Sequence, residues 1–243
     1  DPLVIAPIRI GAMTKGSGMI HPNMCTMLGF VTTDAAIRKD LLQRAVSEVV
    51  AETFNMISVD GDTSTNDTYV ILANGAAENS RIESDGEDWR RFRSGLLRVS
   101  ENLAKQMAGD GEGATALFEC RVTGADTLEN ARRLARSVIG SSLCKAAIYG
   151  HDSNFGRILC ALGYAGVAFD PERVDIWYES AAGRMRIVEN GMGTAYDEAE
   201  ATRLLSEDAV TVWVDMGMGE ASATAWGCDL SYDYVKINAD YRS

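Results

Sequence analysis

Histidine is almost missing from this chain of 243 residues: only His21 and His151 are present. A histidine-rich metal centre therefore lacks its ligands. A Ser-His-Asp triad survives as arithmetic alone, because no G-x-S-x-G elbow presents a serine. Basic residues are also scarce, 23 against 35 acidic ones, and the net charge of −12 argues against nucleic acid and anionic membranes as partners. The five cysteines (Cys25, Cys120, Cys144, Cys160 and Cys228) are scattered, odd in number and never spaced C-x-x-C. That pattern favours reduced thiols over a disulfide framework or a zinc site. No apolar run approaches a bilayer span and the first residues do not form a signal peptide, so cytosol is the expected compartment. No G-x-G-x-x-G, internal repeat, low-complexity tract or Pro/Ser linker interrupts the chain.

What is present describes an ordinary globular protein, 46% hydrophobic and 24% charged, long enough for a substantial core. Leu3–Ile10 reads as a short apolar strand. Thr33 or Asp34 can cap a helix with Ile37, Leu41, Ala45, Val49 and Thr53 or Phe54 on one side. Ile57–Val59 and Thr68–Ala73 read as strands around Asp60-Gly-Asp-Thr-Ser-Thr-Asn-Asp67, a connector rich in side chains that bond their own backbone. Its acids would suit Ca²⁺ by charge, but their spacing is not that of an EF-hand. The spacing predicts a long amphipathic helix over Glu87–Met107, a turn at Asp110–Gly113, a strand over Ala114–Val122 and a helix from Asp126 to Ile139. Leu143–Tyr149 reads as a strand, and Asn154 caps a short helix through Leu162. The last third reads as strands at Val174–Tyr178, Met185–Glu189, Val210–Met216, Ser222–Ala225 and Tyr232–Asn238, with one helix at Glu198–Leu205. Without a regular βαβ rhythm, the fold class is α/β of the mixed, α+β kind, in one compact unit.

One stretch organises the rest: Lys15-Gly-Ser-Gly-Met-Ile-His-Pro-Asn-Met-Cys-Thr26, followed by Met27–Val31. Gly16, Gly18, Pro22 and Asn23 describe a tight turn rather than a helix. A hydroxyl that leads from such a turn into an apolar strand is placed like a nucleophile. Taken alone, Thr26 equally well begins a strand, as β-branched residues often do.

The wording of that stretch, KGSGMIHPNMCTMLGFVTTDA, closely resembles the self-cleavage segment of the ornithine acetyltransferase (glutamate N-acetyltransferase) family. The likeness continues in Ser58-Val-Asp-Gly-Asp-Thr-Ser-Thr-Asn-Asp-Thr68, Gly111-Glu-Gly-Ala-Thr115, Asn154-Phe-Gly-Arg157 and Ile237-Asn-Ala-Asp-Tyr-Arg-Ser243, five blocks in family order. The resemblance implies layered sheets sandwiched between helices, similar to the ornithine acetyltransferase and L-aminopeptidase-D-esterase fold. It implies self-cleavage between Cys25 and Thr26, dividing the chain into 1–25, the end of an α segment, and 26–243, the β segment. Thr26 then serves as nucleophile, carrying an acetyl group from N2-acetyl-L-ornithine to L-glutamate in arginine biosynthesis. Carried over by position, the substrate ligands are Lys15, Thr26, Glu112, Asn238 and Ser243, the last standing where the family usually has threonine. Our physical reading pairs Lys15 with a carboxylate and Glu112 with an ammonium.

A free α-amino group on Thr26, with a pKa near ~7.7–8.0, would serve as the base that a chain so poor in histidine otherwise lacks. No metal or organic cofactor is implied, and acetyl-CoA is left open as a second donor. Two features depart from the family. Cys25 stands where alanine is usual, which raises a competing uncut thiol nucleophile without an evident basic partner. Only 25 residues precede Thr26, so the family's oxyanion Thr-Gly pair, carried on its α segment, has no counterpart here. The expected partners are therefore a missing N-terminal α segment and further copies in an oligomer. The alternatives are an N-terminal-nucleophile amidase or aminopeptidase that uses Thr26 with water, and an inactive subunit or fragment that only binds amino acids.

Overall fold

The computed structural model describes residues 7–22 and 27–241. Its first strand, β1 (Ile10–Lys15), turns Ile10, Ala12 and Thr14 inward and leaves Gly11, Met13 and Lys15 exposed. β2 (Leu28–Thr33) runs antiparallel to it, with Lys15 opposite Leu28 and Ile10 opposite Thr33. After α1 (Lys39–Glu52) and the two-residue β3 (Ile57–Ser58), β4 (Thr68–Ala73) pairs parallel to β2 and completes a three-stranded sheet.

The first strand thus lies further along the chain than expected. Residues 3–6 of the expected strand fall outside the described residues, and pairing with β2 covers Ile10–Lys15 instead. The first helix also starts late, because Thr33 and Asp34 are spent elsewhere. Thr33 Oγ1 accepts from Ala35 N–H, Asp34 Oδ1 accepts from Arg9 N–H, and Ile37 forms a parallel bridge with Ile82.

The long helix α2 (Glu87–Gly109) buries Trp89, Phe92, Leu96, Ser100, Ala104 and Met107, while Val99 and Leu103 are only partly covered. Its first half packs with α1 under the small sheet, around Val31, Leu41, Ala45 and Val49. Its second half joins the main core, where Phe54, Phe118 and Tyr178 are among the largest fully buried side chains. The remaining elements are β5 (Leu117–Ala125), α3 (Leu128–Gly140), α4 (Ser142–Tyr149), α5 (Phe155–Gly163), β6 (Asp175–Ser180), β7 (Gly183–Glu189), β8 (Met192–Gly193), α6 (Glu198–Leu205), β9 (Ala209–Asp215), β10 (Ala221–Cys228) and α7 (Tyr232–Asp240).

The larger sheet has seven strands in the order β3-β10-β5-β9-β6-β7-β8, mixed in direction. Glu119 and Trp226, hydrogen bonded at 2.7 Å, face Lys105 of α2. On the other face α3 lies against Gly227, its Ile139 carbonyl 3.2 Å from where a Cβ would stand. Helices therefore flank the sheet on both sides, the layered arrangement expected of this fold class.

Two expected strands are helices. Leu143–Tyr149 lies within α4: Ser141 Oγ caps it by accepting from Cys144 N–H, 3.3 Å away, and Cys144, Lys145, Ala147 and Ile148 are buried along it. The buried Lys145 ammonium donates to the Cys228 carbonyl and forms a peg between α4 and β10. Tyr232–Asn238 lies within α7, capped by Ser231 Oγ, which accepts from Tyr234 N–H at 3.3 Å. Asn238 thus sits on a helix, not on a terminal strand. No helix among the described residues is long and apolar enough to cross a membrane.

Candidate active site

The site grows out of the β1–β2 connection. With Lys15 opposite Leu28, the chain leaves the sheet after Lys15 and re-enters at the same rung, so residues 16–27 span the loop from one strand to the next. Thr26 and Cys25 lie in the stretch 23–26, outside the described residues, and Ser243 is likewise outside them.

One segment, 58–68, grips both described ends of that loop. Asp60 accepts from Met19 N–H at 2.7 Å and from Ile20 N–H at 3.0 Å, which steadies Met19 in a left-handed conformation (φ 52°). Val59 N–H donates to the Ile20 carbonyl at 2.7 Å, and Thr63 Oγ1 donates to the His21 carbonyl at 2.9 Å. At the far end Asp67 Oδ1 accepts from Met27 N–H, and Thr68 N–H donates to the Met27 carbonyl at 2.8 Å. The connector that read as a polar turn is thus the clamp of the loop.

Gly111-Glu-Gly-Ala-Thr115 meets the loop from a distant part of the chain. Glu112 N–H donates to the Ser17 carbonyl at 2.8 Å, and its carboxylate lies where a Cβ on Gly18 would stand, 2.5 Å away. Only glycine at 18 allows that approach. Asn238 Nδ2 donates to Glu112 Oε2 at 3.0 Å and fixes the carboxylate. Gly113 (φ 69°) brings the segment against the start of α7, where Ser231 Oγ donates to the Gly113 carbonyl at 2.5 Å. Asp229 anchors the next residues, accepting from Thr115 N–H (2.8 Å), Thr115 Oγ1 (2.6 Å) and Ala116 N–H (3.2 Å). These three bonds also explain why β5 starts at Leu117 rather than at Ala114.

Lys15 is exposed and opens onto a cleft of about 810 Å³ shared with Ser17, Lys105, Gln106 and Asp110. It makes no ion pair with a described residue. Glu112 and Asn238 are therefore joined directly, while Lys15 stands at the mouth of the same turn with its charge uncommitted.

Three groups at this site escaped the sequence reading. Asp60 was visible only as one acid in a polar connector. Tyr234, whose hydroxyl donates to Asp60 Oδ2 at 3.4 Å, lay in the misread last element; burial, with Asp60 beside it, pushes its pKa up to about 12. His21 is the third. Its Nε2 lies 2.7 Å from the Arg136 guanidinium, which can only donate, so Nδ1 carries the proton and donates to Ser58 Oγ at 2.9 Å.

Burial, and then Arg136, hold the His21 pKa below its ordinary 6.5, against the weaker upward pull of Asp60 and Asp62. The unfolded chain therefore binds this proton more readily than the folded one. The contribution is whole above the unfolded value and is lost as pH falls through 6.5 toward the lowered folded value. Urea unfolding at steps from about pH 7 to 5 should show wild-type stability falling more steeply than that of His21→Gln. Parallel curves would refute the neutral, buried histidine.

Among the described residues no group of three or more His, Cys, Asp or Glu side chains is placed to hold a metal ion. Cys120, Cys144 and Cys228 are buried, Cys160 is exposed, and all four are unpaired.

The ArgJ family model matches residues 3–243. The arginine biosynthesis bifunctional protein ArgJ of Symbiobacterium thermophilum is 56% identical over 98% of this chain, and a relative from Clostridium acetobutylicum is 50% identical over 97%. The chain spans 58% of the length of each. The crystal structure of arginine biosynthesis bifunctional protein ArgJ from Bacillus halodurans superimposes with a TM-score of 0.84 at 47% identity, covering 89% of this chain and all of that one. A family match over nearly every residue, joined to a fold shared at 47% identity, leaves one conclusion: the chain belongs to the ArgJ family.

Proposed function

We propose that the full-length protein is an acetyltransferase of arginine biosynthesis, moving an acetyl group from N2-acetyl-L-ornithine to L-glutamate through an ester on Thr26. The observation that carries this reading is the Glu112–Asn238 pair, drawn from two remote stretches and set against Ser17 and Gly18 of the turn that runs from Lys15 toward Thr26. Self-cleavage between Cys25 and Thr26 would divide the chain into 1–25 and 26–243. The second piece holds 218 of the 243 residues, close to the 89% share that matches the whole of the solved relative's chain, which supports that division.

In this scheme the freed α-amino group takes the Thr26 hydroxyl proton while the oxygen attacks the acetyl carbonyl of the donor. Ornithine leaves with that proton, and the glutamate amine then attacks the ester and restores the hydroxyl. Glu112, held by Asn238, offers a fixed anion for the side-chain ammonium of ornithine, and Lys15 a mobile cation for a substrate carboxylate. In this scheme the Ser243 hydroxyl would contribute to substrate binding, as the family resemblance implies. The acetyl group rests on the protein, so the scheme uses no metal or organic cofactor, and acetyl-CoA enters only as an alternative donor. An N-terminal α segment would supply the oxyanion donors, in a cytoplasmic oligomer.

Intact mass of the full-length protein tests the reading. A piece beginning Thr26-Met-Leu is expected to gain one acetyl group with N-acetylornithine and to lose it when glutamate is added, with N-acetylglutamate appearing. Acetate released at the same rate without glutamate would instead identify an amidase that uses water.

A further inference from the structure

A chain with a net charge of −12 repels anions over most of its surface, yet one face of α3 gathers positive charge. The inner side of that helix buries Ala131, Leu134, Ala135 and Val138. The outer side carries three arginines within five positions, Arg132, Arg133 and Arg136. They border a cavity of about 590 Å³ whose other walls include His21, Asn55 and Tyr164. Arg132 and Arg136 stand one helical turn apart, so their guanidinium groups can converge on a single ligand.

The three guanidinium groups differ in what holds them. Arg133 is exposed and paired with Glu129 at 3.0 Å. Arg136 is half-buried, and its Nη2 donates to the neutral His21 Nε2 at 2.7 Å. Its Nε is buried with no hydrogen-bond partner among the described residues. Burial lowers the Arg136 pKa from the ordinary 12.5, and no carboxylate pulls it back up. The group stays charged all the same. Arg132 makes no ion pair with a described residue, since Glu52 and Glu101, which share a neighbouring recess with it, are held by Arg93 and Lys105. On another wall of the cavity the Asn55 amide oxygen is also buried without a partner. A half-buried cation without a counter-ion is costly, and so is an idle amide oxygen. Together they call for a ligand that brings both an oxyanion and a hydrogen-bond donor.

We propose that this cavity binds the phosphate group of a small molecule between Arg132 and Arg136, with Asn55 accepting from a hydroxyl of the same ligand. Two guanidinium forks match a doubly charged phosphate in charge and in geometry. The cavity has room for more than the phosphate itself, and Tyr164, 59% exposed, offers a flat ring at the rim. A phosphate ester and free phosphate share the chemistry that the arginines recognise. Arg136 also holds His21, so one guanidinium ties the occupant to the loop that runs toward Thr26. The inference stands apart from the acetyl-transfer reading and uses none of its residues.

Calorimetric titration of the full-length protein at about pH 8 and low salt tests it, with inorganic phosphate and adenosine monophosphate as probes. Inorganic phosphate should bind at one site with a dissociation constant of ~1 mM or below. Arg132→Gln and Arg136→Gln should each weaken binding ~10-fold or more. Arg203→Gln, which removes a surface arginine of α6 paired with Glu200, should bind as wild type does. Tighter binding of the monophosphate would assign the site to an ester, and equal or weaker binding to free phosphate; either result upholds it. Titrations that never saturate would overturn the proposal, as they would if a carboxylate from elsewhere in the full-length protein filled the cavity. Binding untouched by the two α3 substitutions, or weakened as much by Arg203→Gln, would also overturn it. Should Arg136→Gln not fold, Arg132→Gln decides alone, because it breaks no ion pair among the described residues.

Discussion

Replacing Thr26 by alanine is expected to leave the full-length protein as one uncut chain with acetyl transfer reduced about 10⁴-fold or more. The reason is chemical rather than architectural. In the proposed scheme alanine removes the hydroxyl that both reactions would need, and the uncut bond would keep the α-amino group tied in an amide. Thr26→Ser keeps the hydroxyl and should still cut, because only a methyl group is lost. Intact mass and an N-acetylornithine assay on the same samples check both variants. Cys25→Ala completes the series, since it should cut normally. A Cys25→Ala protein that stays intact while Thr26→Ala cuts would place the nucleophile on sulfur.

The second large effect concerns shape rather than reactivity. Gly113 has φ 69°, and a Cβ there would stand 2.5 Å from Tyr234 N, 2.9 Å from the Asp233 carbonyl carbon and 3.0 Å from Ser231 Oγ. Two of those neighbours are backbone, so α7 itself would have to move. Gly113→Ala should therefore destabilise the fold by about 2–4 kcal/mol, combining left-handed strain with overpacking. Gly166→Ala is the control. Its φ is 74°, but nothing lies within 4 Å of the added carbon, so only the strain remains. Denaturant midpoints at unchanged slope measure the pair. Equal shifts in the two variants would mean that the contact with α7 carries no weight.

The elements with a strong apolar period were legible in the sequence. α2, α5, α6 and the strands β6, β7, β9 and β10 fall within a few residues of where spacing put them. The misread elements lacked that period. α7 buries none of its side chains, so Tyr232, Val235 and Ile237 form no face that could betray a helix. α4 is only eight residues long and carries a lysine in its buried set, which hides its turn among apolar neighbours. In both cases the decisive signal was the serine before the element, Ser231 or Ser141, whose hydroxyl caps the first turn.

The site divides in the same way. Spacing alone singled out none of its residues, and the family resemblance supplied Lys15, Glu112 and Asn238. What neither supplied was the partnership of Asp60 and Asp67 with the two ends of one loop, because hydrogen bonds across 40 positions leave no local pattern. His21 escaped notice for a similar reason, since Arg136 lies 115 positions away.

The pairing of β1 with β2 takes on a different meaning if the bond before Thr26 is cut as proposed. Six rungs, from Ile10 opposite Thr33 to Lys15 opposite Leu28, then join two separate polypeptides. The strand Ile10–Lys15 becomes a guest held in another molecule's sheet, with Asp60 still grasping Met19 and Ile20 from the other side of the cut. Unfolding is then also a dissociation, so the melting temperature rises with protein concentration and refolding becomes a bimolecular search. A protein matured this way is assembled as one chain and afterwards persists as a complex, held together by an interface it made while folding.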